Sequence, residues 1–162
     1  TPPVTVGNDV FTGLTLTWGQ FAGDYNFGEL ASGSLSGHVY VDSNHNALFD
    51  ALEIVIPGVT ITLTGQDLGG NPLLRTTTTD LNGSYLFDDL LPGTYRLAES
   101  QPTVYADGAD QVGSLGGTLQ PDAVDQIFMT PNGAGINYDF GENGLALTTI
   151  TKQWFLARNR LG

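Results

Sequence analysis

Residues 58–64 read Gly-Val-Thr-Ile-Thr-Leu-Thr, with apolar and polar side chains in strict alternation. Successive side chains of an extended strand point to opposite faces, so Val59, Ile61 and Leu63 share one face and the threonines the other. The same reading predicts strands over 35–41, 74–79, 84–87, 94–100, 126–130 and 136–140. Turn chemistry separates them. Asn82-Gly83 accepts the positive φ angles of a tight hairpin, Pro92-Gly93 turns the chain, and 101–121 is a long glycine-rich connection. With 22 glycines, and no window dominated by Ala, Leu, Glu and Lys, helices are not expected. About seven short strands at this spacing predict an all-β Greek-key sandwich.

Between the first two strands, residues 42–53 read Asp-Ser-Asn-His-Asn-Ala-Leu-Phe-Asp-Ala-Leu-Glu. Oxygen-bearing side chains fall at loop positions one, three, five, nine and twelve: Asp42, Asn44, Asn46, Asp50 and Glu53. Calcium is a hard ion that takes six to eight oxygens. A tight loop supplies them from alternate residues, a backbone carbonyl at position seven (Leu48) and a bidentate Glu at position twelve. The alternative is a polar turn whose Asp and Asn serve turn geometry alone. Position six requires φ > 0, where glycine is usual; here it is Ala47, at a cost of about 1 kcal/mol.

Charge narrows the function. All 17 acidic residues lie in 1–142, where Arg75 and Arg96 are the only cationic side chains, whereas the last twenty residues carry Lys152, Arg158 and Arg160 and no acid. Such a surface repels nucleic acid and anionic lipid and suits a binder of divalent cations. The absence of cysteine rules out disulfides and thiolate zinc sites. With no eighteen-residue apolar run and no signal peptide, the chain is expected to be a soluble fragment of a longer secreted protein, without membrane insertion.

The two ends of the chain resemble one another. Residues 9–29 align with 122–142 at a constant step of 113: Asp9 falls on Asp122, Leu14 on Ile127, Thr17 on Thr130, and Tyr25-Asn-Phe-Gly-Glu29 on Tyr138-Asp-Phe-Gly-Glu142. Self-similarity at a fixed step marks a tandem array. The expected domains are 1–30, the last two strands of a preceding repeat; 31–142, a complete repeat; and 143–162, a basic segment forming a short helix or docking strand.

Seven ordered motifs now carry a family resemblance: Ser36-Gly-His-Val-Tyr-Val-Asp42, the Asp/Asn loop that follows it, Ile56-Pro-Gly-Val-Thr-Ile-Thr-Leu-Thr-Gly65, Thr79-Asp-Leu-Asn-Gly-Ser-Tyr85, Leu91-Pro-Gly-Thr-Tyr95, Val112-Gly-Ser-Leu-Gly-Gly117 and Tyr138-Asp-Phe-Gly-Glu142. Together they resemble the B-type repeat of serine-aspartate repeat surface proteins (SdrD B-like), within the collagen-adhesin B-type group. The resemblance implies an immunoglobulin-like or prealbumin-like sandwich, strung in tandem on a bacterial surface and binding calcium through Asp42, Asn44, Asn46, Asp50 and Glu53. Related domains often form an internal isopeptide bond between a Lys and an Asn or Asp. Glu99 occupies the place of the proton-shuttling carboxylate, and Asn137 or Asp139 would be electrophiles. No lysine precedes Lys152, so the repeat cannot make that bond.

Catalysis is not expected. Neither Ser36 nor Ser114 lies in Gly-x-Ser-x-Gly, and there is no P-loop or Gly-x-Gly-x-x-Gly. His38 and His45 are too few and too far apart in sequence for a metal triad. Asp88-Asp89, Asp107 with Asp110, and Asp122 with Asp125 read as solvated turn acids or as acid/base pairs; Asp107-Gly-Ala-Asp110 could also serve a second cation site. Trp18, Tyr105 and Trp154 fall in three separate segments and read as packing residues rather than a sugar platform. A dockerin would need two calcium loops, each leading into a helix.

The expectation is therefore a non-enzymatic, calcium-binding stalk or spacer of a bacterial extracellular surface or adhesin-like protein. Its partners would be neighbouring repeats or copies of the same protein, with a host or matrix ligand unspecified. The alternatives are a filament or surface-layer subunit polymerising by strand complementation, and an accessory module of a secreted carbohydrate-active enzyme.

Overall fold

The computed structural model describes residues 5–7, 10–26 and 28–146, and every regular element among them is a strand. In chain order these are β1 (Thr5–Gly7), β2 (Val10–Thr12), β3 (Gly33–Val41), β4 (Ile54–Val55), β5 (Thr60–Asp67), β6 (Pro72–Thr78), β7 (Ser84–Leu90), β8 (Gly93–Glu99), β9 (Tyr105–Asp107), β10 (Thr118–Gln120), β11 (Ala123–Met129), β12 (Ala134–Gly135) and β13 (Phe140–Leu145). The chain forms two compact units, residues 1–30 and 31–162.

The larger unit is a two-sheet sandwich. One sheet runs β10-β11-β8-β5-β6, antiparallel throughout. The second is organised about β3. On one side β3 pairs antiparallel with β7 and β4. On the other it pairs parallel with β12 and β13, and β9 extends the sheet antiparallel to β13.

The core follows the period-two pattern. Val59, Ile61 and Leu63 are buried on β5, as are Tyr95 and Leu97 on β8, and they meet Leu35, Val39, Tyr85, Phe87, Tyr138 and Phe140 of the facing sheet. Burial of this set is the main stabilising term, at about 1.5–3 kcal/mol per large apolar side chain.

Six of the seven expected strands appear where the alternation places them. The last differs. A strand over 136–140 is replaced by β12 before it and β13 after it, because Asn137 takes φ 61° and breaks the pleat. Strand β13 runs to Leu145, so three residues assigned by sequence to the basic segment complete the sheet, and the Ala146 N–H donates to the Val104 carbonyl. The rest of that segment, 147–162, lies outside the described residues. The glycine-rich connection also contributes two short strands, β9 and β10.

The smaller unit repeats the backbone of the larger at the same step of 113. Strand β1 pairs with β2 as Thr5↔Thr12, Val6↔Phe11 and Gly7↔Val10. Strand β10 pairs with β11 as Thr118↔Asp125, Leu119↔Val124 and Gln120↔Ala123, each residue 113 further on. The turn bond from Gln20 N–H to Thr17 carbonyl recurs as Gly133 to Thr130. The positive-φ positions Gly13, Gly19 and Asp24 recur as Gln126, Asn132 and Asn137. One expected element is missing: Tyr25 and Asn26 lie in no strand, and Phe27 is outside the described residues. Their counterparts Tyr138 and Asp139 likewise precede β13, and it is Phe140 and Gly141 that pair with β3 (Phe140↔Val39, Gly141↔Tyr40). Tyr25 packs edge-on against Phe11, ring centroids 5.3 Å apart.

Candidate metal centre

Strand β3 ends in the 42–53 loop, and the loop folds onto its own oxygens. The buried Asp42 carboxylate accepts the Asn46 N–H through Oδ1 (3.1 Å) and the Ala47 N–H through Oδ2 (2.9 Å). The Asn44 and Asn46 side-chain oxygens cap the backbone two residues on, taking the N–H of Asn46 (3.1 Å) and Leu48 (2.9 Å). Both Asn side chains also donate Nδ2–H to one atom, Asp50 Oδ2, at 2.9 and 3.0 Å. Glu53 latches the loop: Oε1 accepts from Ser43 N–H (2.9 Å) and Oε2 from Asp50 N–H (3.0 Å). Five side chains chosen by spacing are thus joined in one hydrogen-bonded ring.

The backbone does what position six demands. His45 and Ala47 both take left-handed conformations, φ 58° and 60°, which fold alternate side chains inward. The Leu48 side chain is exposed, and only the backbone of that residue joins the ring. Phe49 anchors the loop to the sandwich, stacking on His38 at 4.5 Å and tilting against Tyr40 at 5.2 Å.

The donor set fits a hard cation. Asp50 Oδ2 already accepts two partly positive amide groups where an ion would supply charge, and each Asn oxygen that takes one N–H keeps a second lone pair. Among the described residues, however, no three His, Cys, Asp or Glu side chains stand together as a metal-holding group. Asp42, Asp50 and Glu53 therefore form no such group in this structure.

A second acidic group was only partly legible. Glu99 closes β8, Asp122 precedes β11, Glu142 lies on β13, and Asp107 on β9 is its register partner. Backbone bonds tie these segments together: Glu99 N–H donates to the Asp122 carbonyl at 2.8 Å, and the Asp110 carboxylate accepts from the backbone N–H of Gly141 and Asp122. Gln101 Nε2 donates to Glu142 Oε2 at 2.7 Å. Sequence singled out Glu99 through the resemblance and Asp107 with Asp110 by composition. Glu142 was missed, although Tyr138-x-Phe140-x-Glu142 continues an inward-facing alternation, as Tyr95-x-Leu97-x-Glu99 does.

Burial penalises the charged carboxylates and each raises its neighbours. Glu99 is pushed up to about 9 by desolvation, then by Glu142, Asp110, Asp122 and Asp107. Asp110 rises to about 7 by desolvation and then Asp107 and Asp122. Glu142 also rises to about 7, chiefly by desolvation, although its hydrogen bond from Gln101 opposes the rise. Asp122 is raised by burial and by Asp107, with which it shares a hydrogen bond.

The remaining candidates serve structure. His38 Nδ1 lies 3.1 Å from Asp139 Oδ1, an oxygen that also accepts the His38 N–H at 2.7 Å. Ser36, which could have made a nucleophile beside that pair, donates instead to the Gly135 carbonyl. Trp18, expected to be a packing residue, is instead fully exposed, and Asp125 pairs with Arg96 Nε at 2.6 Å.

Comparison with known proteins places this geometry. The family model for the SdrD B-like domain matches residues 33–127. Serine-aspartate repeat-containing protein I of Staphylococcus saprophyticus is 44% identical over 79 residues, 49% of this chain and 4% of that protein. Serine-aspartate repeat-containing protein D of Staphylococcus aureus (strain Newman) is 36% identical over 91 residues, 56% of this chain and 6% of that protein. Among solved structures, the full-length major pilin SpaD from Corynebacterium diphtheriae aligns over 75% of this chain and 34% of its own, at 17% identity and a TM-score of 0.43.

Proposed function

The chain belongs to the SdrD B-like domain family, and from that premise we propose that it is a calcium-stiffened structural repeat, a stalk or spacer of a bacterial extracellular surface protein. The observation that carries the reading is the ring of Asp42, Asn44, Asn46, Asp50 and Glu53, all oxygen donors drawn together at the end of a core strand. Calcium would take the carboxylate and amide oxygens and the Leu48 carbonyl, and Phe49 would pass the loop's rigidity to β3. The role is mechanical, with neighbouring repeats as partners and no reaction to catalyse.

The test is thermal melting in chelator and in calcium. Extracellular calcium modules bind at roughly 10⁻⁴–10⁻³ M, and a hundredfold excess over that constant stabilises by about 2.7 kcal/mol. Glu53→Gln should remove most of that gain. A melting temperature indifferent to calcium overturns the reading.

The residue-for-residue repetition of the β1–β2 hairpin favours a second reading, assembly by strand complementation. In the full repeat β11 lies between β10 and β8; in residues 1–30, β2 pairs with β1 among the described residues. Sedimentation at increasing concentration tests this, and a chain that stays monomeric at high concentration excludes it.

A further inference from the structure

We propose that a groove across β3 and β7 binds a neutral oligosaccharide, through hydroxyl, amide and imidazole groups that the sandwich leaves unused. The groove has a volume of about 720 Å³, within the range of small-ligand sites. It crosses the strands instead of following them. From Ile136 it passes over β3 and β7, two strand spacings or about 10 Å, and ends against Thr77 and Thr78 of β6. A ligand lying across strands meets side chains and not the backbone ladder, which disfavours an added β-strand as the occupant.

The polar groups of the groove are held in place and only partly used. Asp139 Oδ1 accepts the His38 backbone N–H at 2.7 Å and faces Nδ1 at 3.1 Å, while Phe49 stacks on the ring. The ring proton therefore sits on Nδ1, and Nε2 is left as an acceptor. Asp80 accepts from the Ser84 N–H, the Ser84 hydroxyl and the Asn82 N–H, which hold its carboxyl below the usual carboxylate range. A carboxylate has about four acceptor sites, so one stays open. The Thr77, Thr78 and Asn137 side chains make no hydrogen bond among the described residues. Leu86 and Ile136, each about half exposed, add apolar surface.

This set selects the ligand. Among the described residues no Lys or Arg lines the groove and Asp80 is ionised, so anions are repelled. One carboxylate with three hydrogen bonds already made offers little to a basic peptide. A sugar suits the whole lining: each hydroxyl both donates and accepts, and the C–H faces of the rings cover Leu86 and Ile136.

The experiment is a titration of the isotope-labelled chain with chitotriose, cellotriose, maltotriose and mannotriose at millimolar concentration. It is followed by heteronuclear NMR in chelator, so that ion binding in the 42–53 loop does not enter. At least one sugar should saturably shift the amides of His38, Thr78, Asp80, Leu86 and Asn137. Asn137→Gly removes the amide at φ 61°, which glycine adopts without strain. Thr78→Val removes a hydroxyl and keeps a branched strand residue. Each should weaken binding about two- to tenfold, the loss of one hydrogen bond, and unchanged resonances elsewhere check the fold. No response to any of the four sugars overturns the proposal, as do shifts scattered over the surface or equal affinity in both variants. A response to hexalysine alone, abolished by salt, also overturns it and assigns the groove to a basic peptide.

Discussion

The Tyr85 hydroxyl donates a 2.6 Å hydrogen bond to the Tyr138 carbonyl, passing over the central strand from β7 to the segment that leads into β13. Its path is open because the β3 residue opposite Tyr85 is Gly37; a β-carbon there would collide with that same carbonyl. A glycine on the central strand and a buried phenol are two parts of one joint. Tyr85→Phe should therefore leave the carbonyl unsatisfied and cost about 1–3 kcal/mol. Urea unfolding measures it, and a loss below experimental error would show that the bond is dispensable.

Gly37→Ala should be worse than Tyr85→Phe, because backbone rather than a flexible side chain must move. Separation of β3 from residues 136–138 would expose core side chains. The expected loss exceeds about 3 kcal/mol, as for other severe core overpacking. An alanine variant with wild-type melting would contradict the close approach.

At Ala47 two effects oppose each other. Ala47→Gly relieves about 1 kcal/mol of left-handed strain but adds about 0.4–1 kcal/mol of unfolded-chain freedom. Stability should change little. Ala47→Val, with a branched side chain at φ 60°, should lose about 1–3 kcal/mol and weaken calcium binding. Equal stability of the valine and glycine variants would show that the loop relaxes out of this conformation.

In chelator, stability should fall as pH rises. Glu99, pushed up to about 9, and Asp110 and Glu142, each up to about 7, hold protons in the folded state that the unfolded chain releases at ordinary carboxylate pH. Folding is unpenalised below that range, and the penalty grows until pH passes the folded values. The groups facing Glu99 are Glu142, Asp110, Asp122 and Asp107, all acidic, so nothing reverses the sign. The metal-free chain should melt higher at pH 5 than at pH 8, and Glu99→Gln should flatten the profile. A profile rising from pH 5 to pH 8 would contradict these assignments.

What the sequence disclosed was what is local. Six strands were legible because period-two alternation survives without knowledge of the partner strand. The seventh was misplaced because Ile136-Asn-Tyr-Asp-Phe140 alternates equally well, and nothing in a pattern reveals that Asn137 will turn left-handed. Strands β4, β9, β10 and β12, of two or three residues, are too short to show any period. The mutual grouping of the five loop side chains was legible because its geometry is set within twelve residues. The second acidic group draws on four segments between Glu99 and Glu142, so only pairing across the sheets brings it together.

The parallel contact between β3 and β13 bears on how such a module carries tension. These are the first and last described strands of the large unit and lie side by side, Phe140 against Val39 and Glu142 against Val41. Pulling backwards on the start of β3 and forwards on the end of β13 slides one along the other. Their hydrogen bonds are then strained together in shear instead of parting one by one from an end. Force spectroscopy of tandem copies should give a single high rupture event per repeat. Asp42 donates its N–H to the Glu142 carbonyl at the last rung of this contact, so an ion seated in the 42–53 loop beside that rung would raise the rupture force. Removing calcium should lower it.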